Sequence, residues 1–431
     1  MKVAAFLPAK GTSQRIKSKN LKLLDGKPLF LHTLEKLVGC DFIDEVYLDS
    51  ETDEILDLAE YLDYHKMKRD PSLANNATDG HALFYNEARQ VDADIYIQIL
   101  GTSPFIKEET IRKGVEILKN DPSFDSVVLV RRDKQYTWGK NGPNYDINHI
   151  PNSKDLDDTV IETMGLYIVR KDVVMTSKKR IGYRPFLMDA TPLEAIDINY
   201  PEDFELAELI SMGITAKEYI RFNMLARHLS SCLISDILFD MKVGGVIRGL
   251  ISNIPDVKVM GRASTLKLRT LVDGEDPNGI YDGLKTYANI RQGQIIIVET
   301  ECPEYAYFGE LNSNLAIRSG AIATIVAGNT RDVSEVTTNN YPVFSTGYSS
   351  ADVRGRGTVE KHNKPITIQG VDIKPRDILF ADVNGIAVIP YEVESEVITR
   401  AIKSRLNEES IMTEIISGLD GYNIFLNKGA F

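Results

Sequence analysis

The chain has 431 residues, long for one domain and suited to two of about 200 residues each. Hydrophobic residues make up 43%, enough for two cores, and 50 Lys and Arg against 62 Asp and Glu leave a formal net charge of −12. That balance argues against nucleic acid as a general partner, so a local basic segment points instead to a small anion.

Three cysteines, Cys40, Cys232 and Cys302, give neither a disulfide framework nor zinc-ligand spacing. No apolar run approaches the ~18 residues that span a bilayer, and the start reads as a strand rather than a signal peptide. A cytoplasmic protein with no membrane partner is expected. In chain order, strands are expected at 3–7, 45–49, 95–100, 126–131 and 165–169. Between them, 29–38, 54–61, 81–89 and 110–119 carry apolar residues at helical spacing. That alternation implies a three-layer α/β domain with a mainly parallel sheet and a ligand crevice at the carboxyl ends of its strands. A helical stretch at 205–210 closes the unit, with Gly213 and Thr215 as breakers. After Asn223 come glycine-rich strands with tight turns such as Gly244-Gly245 and Asn278-Gly279, and a helical tail at 393–405. A boundary near residue 220 gives domains at 1–220 and 221–431.

The first strand runs into Pro8-Ala9-Lys10-Gly11-Thr12-Ser13-Gln14-Arg15-Ile16-Lys17-Ser18-Lys19-Asn20. Such a loop suits a triphosphate. Backbone N–H groups at Ala9, Gly11 and Ser13 can approach phosphates, while Lys10, Arg15 and Lys19 neutralise them. Asn20 is a hydrogen-bonding candidate for the α-phosphate or ribose. An ordinary basic surface loop is the plain alternative.

The segment resembles the CMP-sialic acid synthetase (acylneuraminate cytidylyltransferase) signature, Pro-Ala-Arg-Gly-Gly-Ser-Lys-Arg-Ile-Pro-x-Lys-Asn, with departures at Lys10, Thr12, Gln14 and Lys17. Three later segments extend the likeness: Arg69-Asp70-Pro71-Ser72-Leu73-Ala74, Glu162-Thr163-Met164-Gly165-Leu166-Tyr167, and Asp197-Ile198-Asn199 with Pro201-Glu202-Asp203. The resemblance implies a nucleotide-diphospho-sugar-transferase-like, Rossmann-like fold. It also implies attack of a substrate hydroxyl on the α-phosphorus of CTP, with Lys19 catalytic, Arg69 near the nucleotide, and Mg²⁺ at Asp197 and Asn199. The plain alternative for Asp197 is a helix N-cap or surface acid. On the acceptor side, Leu100-Gly101-Thr102-Ser103-Pro104 replaces Gln-Pro-Thr-Ser-Pro, and Asn152-Ser153-Lys154-Asp155-Leu156 replaces Arg-Arg-Gln-Asp-Leu. The lost donors would grip an acidic sugar, leaving Gln98, Thr102, Ser103 and Lys154 as candidates. An acidic sugar other than sialic acid, or another hydroxylated anion, is the expected acceptor.

In the second half, twenty residues separate Glu310 from Arg331-Asp332. The apolar run 321–326 reads as a strand delivering that pair at its carboxyl end. A guanidinium beside a carboxylate suits a metal-chelated keto acid, and amides around Gly309, Leu311 and Asn312 add anion contacts. The plain reading is an ion pair after a strand. With Gly328-Asn329-Thr330-Arg331-Asp332, Pro342-Val343-Phe344 and Ala381-Asp382-Val383-Asn384-Gly385, this half resembles the 4-hydroxy-4-methyl-2-oxoglutarate aldolase family, which includes regulators of ribonuclease activity. The resemblance implies a swivelling β/β/α domain, Mg²⁺ or Mn²⁺ at Asp332, and retro-aldol cleavage or decarboxylation of an α-keto acid. It also implies a trimer or hexamer with sites between subunits. Arg331 would bind the keto acid, and Glu310 would orient a water. A bifunctional enzyme is the leading expectation. A transferase with a non-catalytic rear module, or a regulatory binding protein, are the alternatives.

Overall fold

The computed structural model describes all residues except Tyr61, Asn76, Asn289 and 429–431. Tyr61, the expected end of the second helix, and the last three residues of the second expected domain therefore lie outside the described residues. The chain divides into two compact units, Met1–Ser211 and Met212–Phe431.

In the first unit a seven-stranded sheet runs in the order Pro185–Asp189, Ser126–Asp133, Thr159–Arg170, Ile95–Ile99, Val3–Pro8, Glu45–Ser50, His65–Lys68. The central Val3–Pro8 strand is apolar on both faces. Val3, Ala5 and Leu7 pack with Leu31, Leu34 and Leu37 of helix Leu29–Val38 and with Ile111, Val115 and Leu118 of helix Glu108–Asn120. Ala4 and Phe6 point the other way, onto Phe84 and Ala88 of helix Gly80–Ala88 and onto Val173 and Val174 of helix Lys171–Ser177. Strand alternation thus builds the three layers. The sheet is mixed: Thr159–Arg170 pairs antiparallel with both neighbours, and the other strand pairs are parallel. Its register shifts between Glu162 and Tyr167, where Met164 takes a left-handed φ of 60°.

The expected break at Gly213 and Thr215 does not occur. One helix spans Pro201–His228, and the division between the two units falls inside it. A lone helical glycine costs only about 1 kcal/mol, and the Ile, Met, Ala, Lys and Glu around it are adequate helix formers. Among the described residues no helix is long and apolar enough to cross a membrane.

The second unit is a swivelling β/β/α domain built on a ten-stranded mixed sheet. Its main path is Gly245–Ile247, Gly385–Ile389, Ile378–Asp382, Val259–Thr270, Ile295–Thr300, Ala323–Thr330, Val343–Tyr348, Ile251–Ser252. Helices Ser231–Met241 and Glu394–Ile416 cover Met260, Phe380, Ala387 and Ile389 with Leu233, Ile237, Val397 and Ala401. Strand Ala323–Thr330 lies parallel to both neighbours on the path and ends where the Arg331-Asp332 pair begins.

Candidate functional sites

The basic loop leaves the carboxyl end of Val3–Pro8 and is fastened at several points. Ala9 N–H donates to Asp49 O at 2.8 Å, and Gly11 N–H to Glu51 Oε1 at 2.9 Å. Asn20, almost fully buried, donates its side-chain amide to Lys10 O at 2.7 Å, so it closes the loop on itself. Ser18 takes a left-handed φ of 49° at the turn into the short helix Lys19–Leu21. Ser13 is half-buried in the loop. Gly11 is required by space, because a Cβ there would collide with Thr52.

The same loop meets the Asp197 segment. Lys19 Nζ donates to Ile198 O at 2.7 Å, and Ile198 N–H donates to Thr102 O at 2.9 Å. Arg15 lies over the Tyr200 ring, 5.3 Å from its centroid. Burial lowers the proton affinity of Lys19, Asp197 opposes that effect, and Arg15 adds to it. Asp203 Oδ2 accepts the N–H groups of Asn199 and Tyr200, both at 2.8 Å, and so holds the turn into the long helix. Asp197 is not that cap. Its Oδ2 accepts the Asn199 amide, while its buried Oδ1 has no hydrogen-bond partner. An orphaned buried carboxylate oxygen fits a divalent cation, and Mg²⁺ needs only one or two carboxylates when water and phosphate oxygens complete its shell. Among the described residues no group of three or more acidic, His or Cys side chains is placed to hold a metal ion.

Two further candidates have internal partners. Arg69 is buried, giving Asp49 Oδ2 two hydrogen bonds, at 3.0 and 2.8 Å, and Asp49 O a third at 3.0 Å. Gln98 is fully buried and donates to Glu87 Oε2 at 2.6 Å. Burial and then Asp49 push the proton affinity of Glu87 upward beside the Asp49–Arg69 pair. As the side chains stand, both residues belong to a polar core beneath the loop. Ser103 is buried, with its hydroxyl unpartnered and close to Gly165, whereas Thr102 is half-buried and Lys154 exposed.

In the second unit the twenty-residue spacing closes in space. Arg331 N–H donates to Phe308 O at 2.9 Å, and Glu310 N–H donates to Asp332 Oδ2 at 3.0 Å. Asp332 has a left-handed φ of 53°, and a Cβ on Gly309 would push its Oδ2 aside. Arg331 Nε lies 3.6 Å from Asp332 Oδ2, and its Nη1 is 2.7 Å from Asp352 Oδ2. Asp352 was not singled out by spacing. It arrives on the loop after Val343–Tyr348, held by a bridge to Ala306. Leu311 is exposed, and the Asn312 amide binds Tyr307 O at 2.9 Å. A shallow cleft beside Arg331 is lined by Asn253, Phe308, Val333 and Tyr348. A divalent ion at Asp332 would draw on one partly exposed carboxylate, again with water and substrate completing its shell.

The first unit is thus an α/β domain whose basic loop meets an acidic segment, and the second pairs arginine with carboxylates at a strand end. Residues 4–208 match the family model described as Cytidylyltransferase, and residues 231–388 the RraA-like model, Aldolase/RraA. CMP-N,N′-diacetyllegionaminic acid synthase of Legionella pneumophila is 34% identical over 223 residues, which are 48% of this chain and 95% of that protein. The chain belongs to the cytidylyltransferase family and carries an RraA-like domain behind it. Protein DlpA of the same organism is 32% identical over 200 residues, 45% of this chain, and the match spans only 32% of that protein. A putative 4-hydroxy-4-methyl-2-oxoglutarate aldolase of Halalkalibacterium halodurans is 27% identical over 147 residues, 34% of this chain and 69% of that protein.

Proposed function

We propose that the first unit transfers a cytidylyl group from CTP to a hydroxyl of a small acidic sugar, releasing pyrophosphate. The second unit, in the same proposal, cleaves or decarboxylates an α-keto acid. The observation that carries the first half is the meeting of the Lys10–Asn20 loop with Asp197. In that reading Lys10, Arg15 and Lys19 hold the triphosphate, and the amides of the loop fix its register. Lys19, tethered through Ile198 O to the Asp197 segment, sits where charge builds on the α-phosphoryl group as the acceptor oxygen attacks and pyrophosphate leaves in line. Asp197, with Asn199, would hold Mg²⁺, which when bound neutralises phosphate charge. For the second half, Arg331 would take the substrate carboxylate in bidentate fashion, and Asp332 would hold Mg²⁺ or Mn²⁺. Assembly as a trimer or hexamer through the second unit and a cytoplasmic location belong to the same proposal.

Calorimetric titration with CTP, UTP, ATP and GTP in Mg²⁺ tests the first half without knowledge of the acceptor. Selective CTP binding, weakened about 10- to 100-fold by Lys19→Ala, is the expected result. Binding of no nucleotide rejects it.

A further inference from the structure

Every arginine of the first unit except Arg15 and Arg180 gives its guanidinium to a carboxylate, amide or carbonyl oxygen. Among the described residues those two have no such acceptor, and each rests on a tyrosine ring instead. Arg15 belongs to the basic loop itself. Arg180 lies over Tyr167, 4.0 Å from the centroid, and only its backbone N–H is bonded, to His81 Nδ1 at 3.3 Å. The nearby carboxylates have other donors: Asp79 accepts the N–H groups of His81 and Ala82, and Glu162 accepts the Tyr167 hydroxyl.

The seat is built. Tyr167 is fully buried, which fixes the ring beneath the guanidinium. Gly80 stands beside it, and a Cβ there would strike Arg180 Nη1. The seat also lies at the right edge of the sheet. Tyr167 is paired with Gln98, next to the carboxyl end of Ile95–Ile99, and its hydroxyl feels the charges of Arg180, Glu162 and Asp197. A half-buried guanidinium that no carboxylate hydrogen-bonds, seated on a ring whose hydroxyl also feels Asp197, has donors left for an anion from outside the protein.

We propose that Arg180 binds the carboxylate of the sugar-acid acceptor and so determines which acceptors the first unit uses. The assignment rests on the cytidylyl-transfer reading above. In an ulosonic acid the attacking anomeric hydroxyl and the carboxylate share one carbon, so the carboxylate must be held beside the phosphoryl site. Arg180 thereby supplies, from a different segment, the donor lost where Leu100-Gly101 and Asn152-Ser153 stand. The Tyr167 ring orients the planar fork, and Gly80 leaves room for it.

Pyrophosphate release from CTP and Mg²⁺ is to be measured with N-acetylneuraminate, N,N′-diacetyllegionaminate and 3-deoxy-manno-octulosonate, and with the methyl ester of whichever reacts. Arg180→Ala should raise the acceptor KM about 10- to 100-fold and leave the CTP KM unchanged, with partial rescue in Arg180→Lys. Gly80→Ala, a change a helix tolerates, should raise the acceptor KM by displacing the guanidinium while the arginine remains. The methyl ester should react poorly with the wild type and no worse with Arg180→Ala. An unchanged acceptor KM overturns the proposal, as does a rise in the CTP KM alone, which would make Arg180 a phosphate ligand. Absence of turnover with every acid rejects the transfer reading itself. Calorimetric titration of the same acids into the CTP-loaded protein then decides on Arg180: binding lost in Arg180→Ala sustains the assignment, and binding retained or absent throughout overturns it.

Discussion

Lys19 is the residue through which the charge of the first site becomes measurable. Burial lowers its proton affinity below the ordinary lysine value of 10.5, with Asp197 opposing and Arg15 assisting. A triphosphate binds the ammonium form and draws the proton back, so affinity for CTP must fall as pH rises through the lowered value. The dissociation constant, followed calorimetrically from pH 7 to 10, should be flat near neutrality and rise before pH 10.5. Lys19→Arg, which keeps its charge, should lack that limb; a wild-type profile as flat as that variant's would sink the assignment. At this scale much was legible. Gly11, Lys19 and Asp197 are marked by residue type and motif, and Glu310, Arg331 and Asp332 by spacing. Asp352 was not legible, because its meeting with Arg331 is made by a loop and a strand end. Gln98 had a readable signal that points inward. It is the one polar residue in a strand buried on both faces, and such an amide needs a partner within the protein.

At the scale of elements, hydrophobic periodicity located helix Leu29–Val38 and strands Val3–Pro8, Glu45–Ser50 and Ile95–Ile99 to within a residue of their ends. It did not give the direction of Thr159–Arg170, because a buried strand carries the same pattern whether its neighbours run parallel or antiparallel. Nor did it foresee the polar core where strand Glu45–Ser50 and helix Gly80–Ala88 bring Asp49 and Glu87 against Arg69. That core carries a pH dependence. The proton affinity of Glu87 is raised by burial and then by Asp49, while Arg69 and Gln98 oppose. The unfolded chain loses this proton near the ordinary value of 4.5 and the folded chain only at higher pH. The folded state therefore binds more protons, and stability falls as pH rises across that window. Glu87→Gln keeps the shape, accepts from Gln98 and can donate to Asp49, with no proton to lose. Its melting temperature should exceed that of the wild type at pH 8 by more than at pH 5, each 1 kcal/mol being worth about 2–4 °C in a protein of this kind. An equal or reversed difference at the two pH values would show that Glu87 is ionised in the fold.

At the scale of the whole molecule, the expected division near residue 220 meets units that part at Ser211 and Met212, inside a continuous helix. Glycine chemistry suggested a break, yet the neighbouring helix formers carry the helix through it. Two self-contained cores on one chain, each with its own cluster of charges, allow the two proposed activities to be separated by single substitutions. Asp332→Ala removes the acceptor of the Glu310 N–H bond and a carboxylate beside Arg331, both within the second unit. With pyruvate as the retro-aldol product read from ulosonic acids, or pyruvate and CO₂ from oxaloacetate, a catalytic second unit loses turnover in this variant by about 100-fold or more. CTP-dependent pyrophosphate release should stay within twofold of wild type, since the bonds lost in Asp332→Ala lie within the second unit. Release of pyruvate that is equal in the wild type and in Asp332→Ala would mean that this unit holds substrate or subunits together rather than breaking carbon bonds. A parallel loss of pyrophosphate release would mean that the two sites are coupled, and that the RraA-like unit acts on the chemistry of the cytidylyltransferase in front of it.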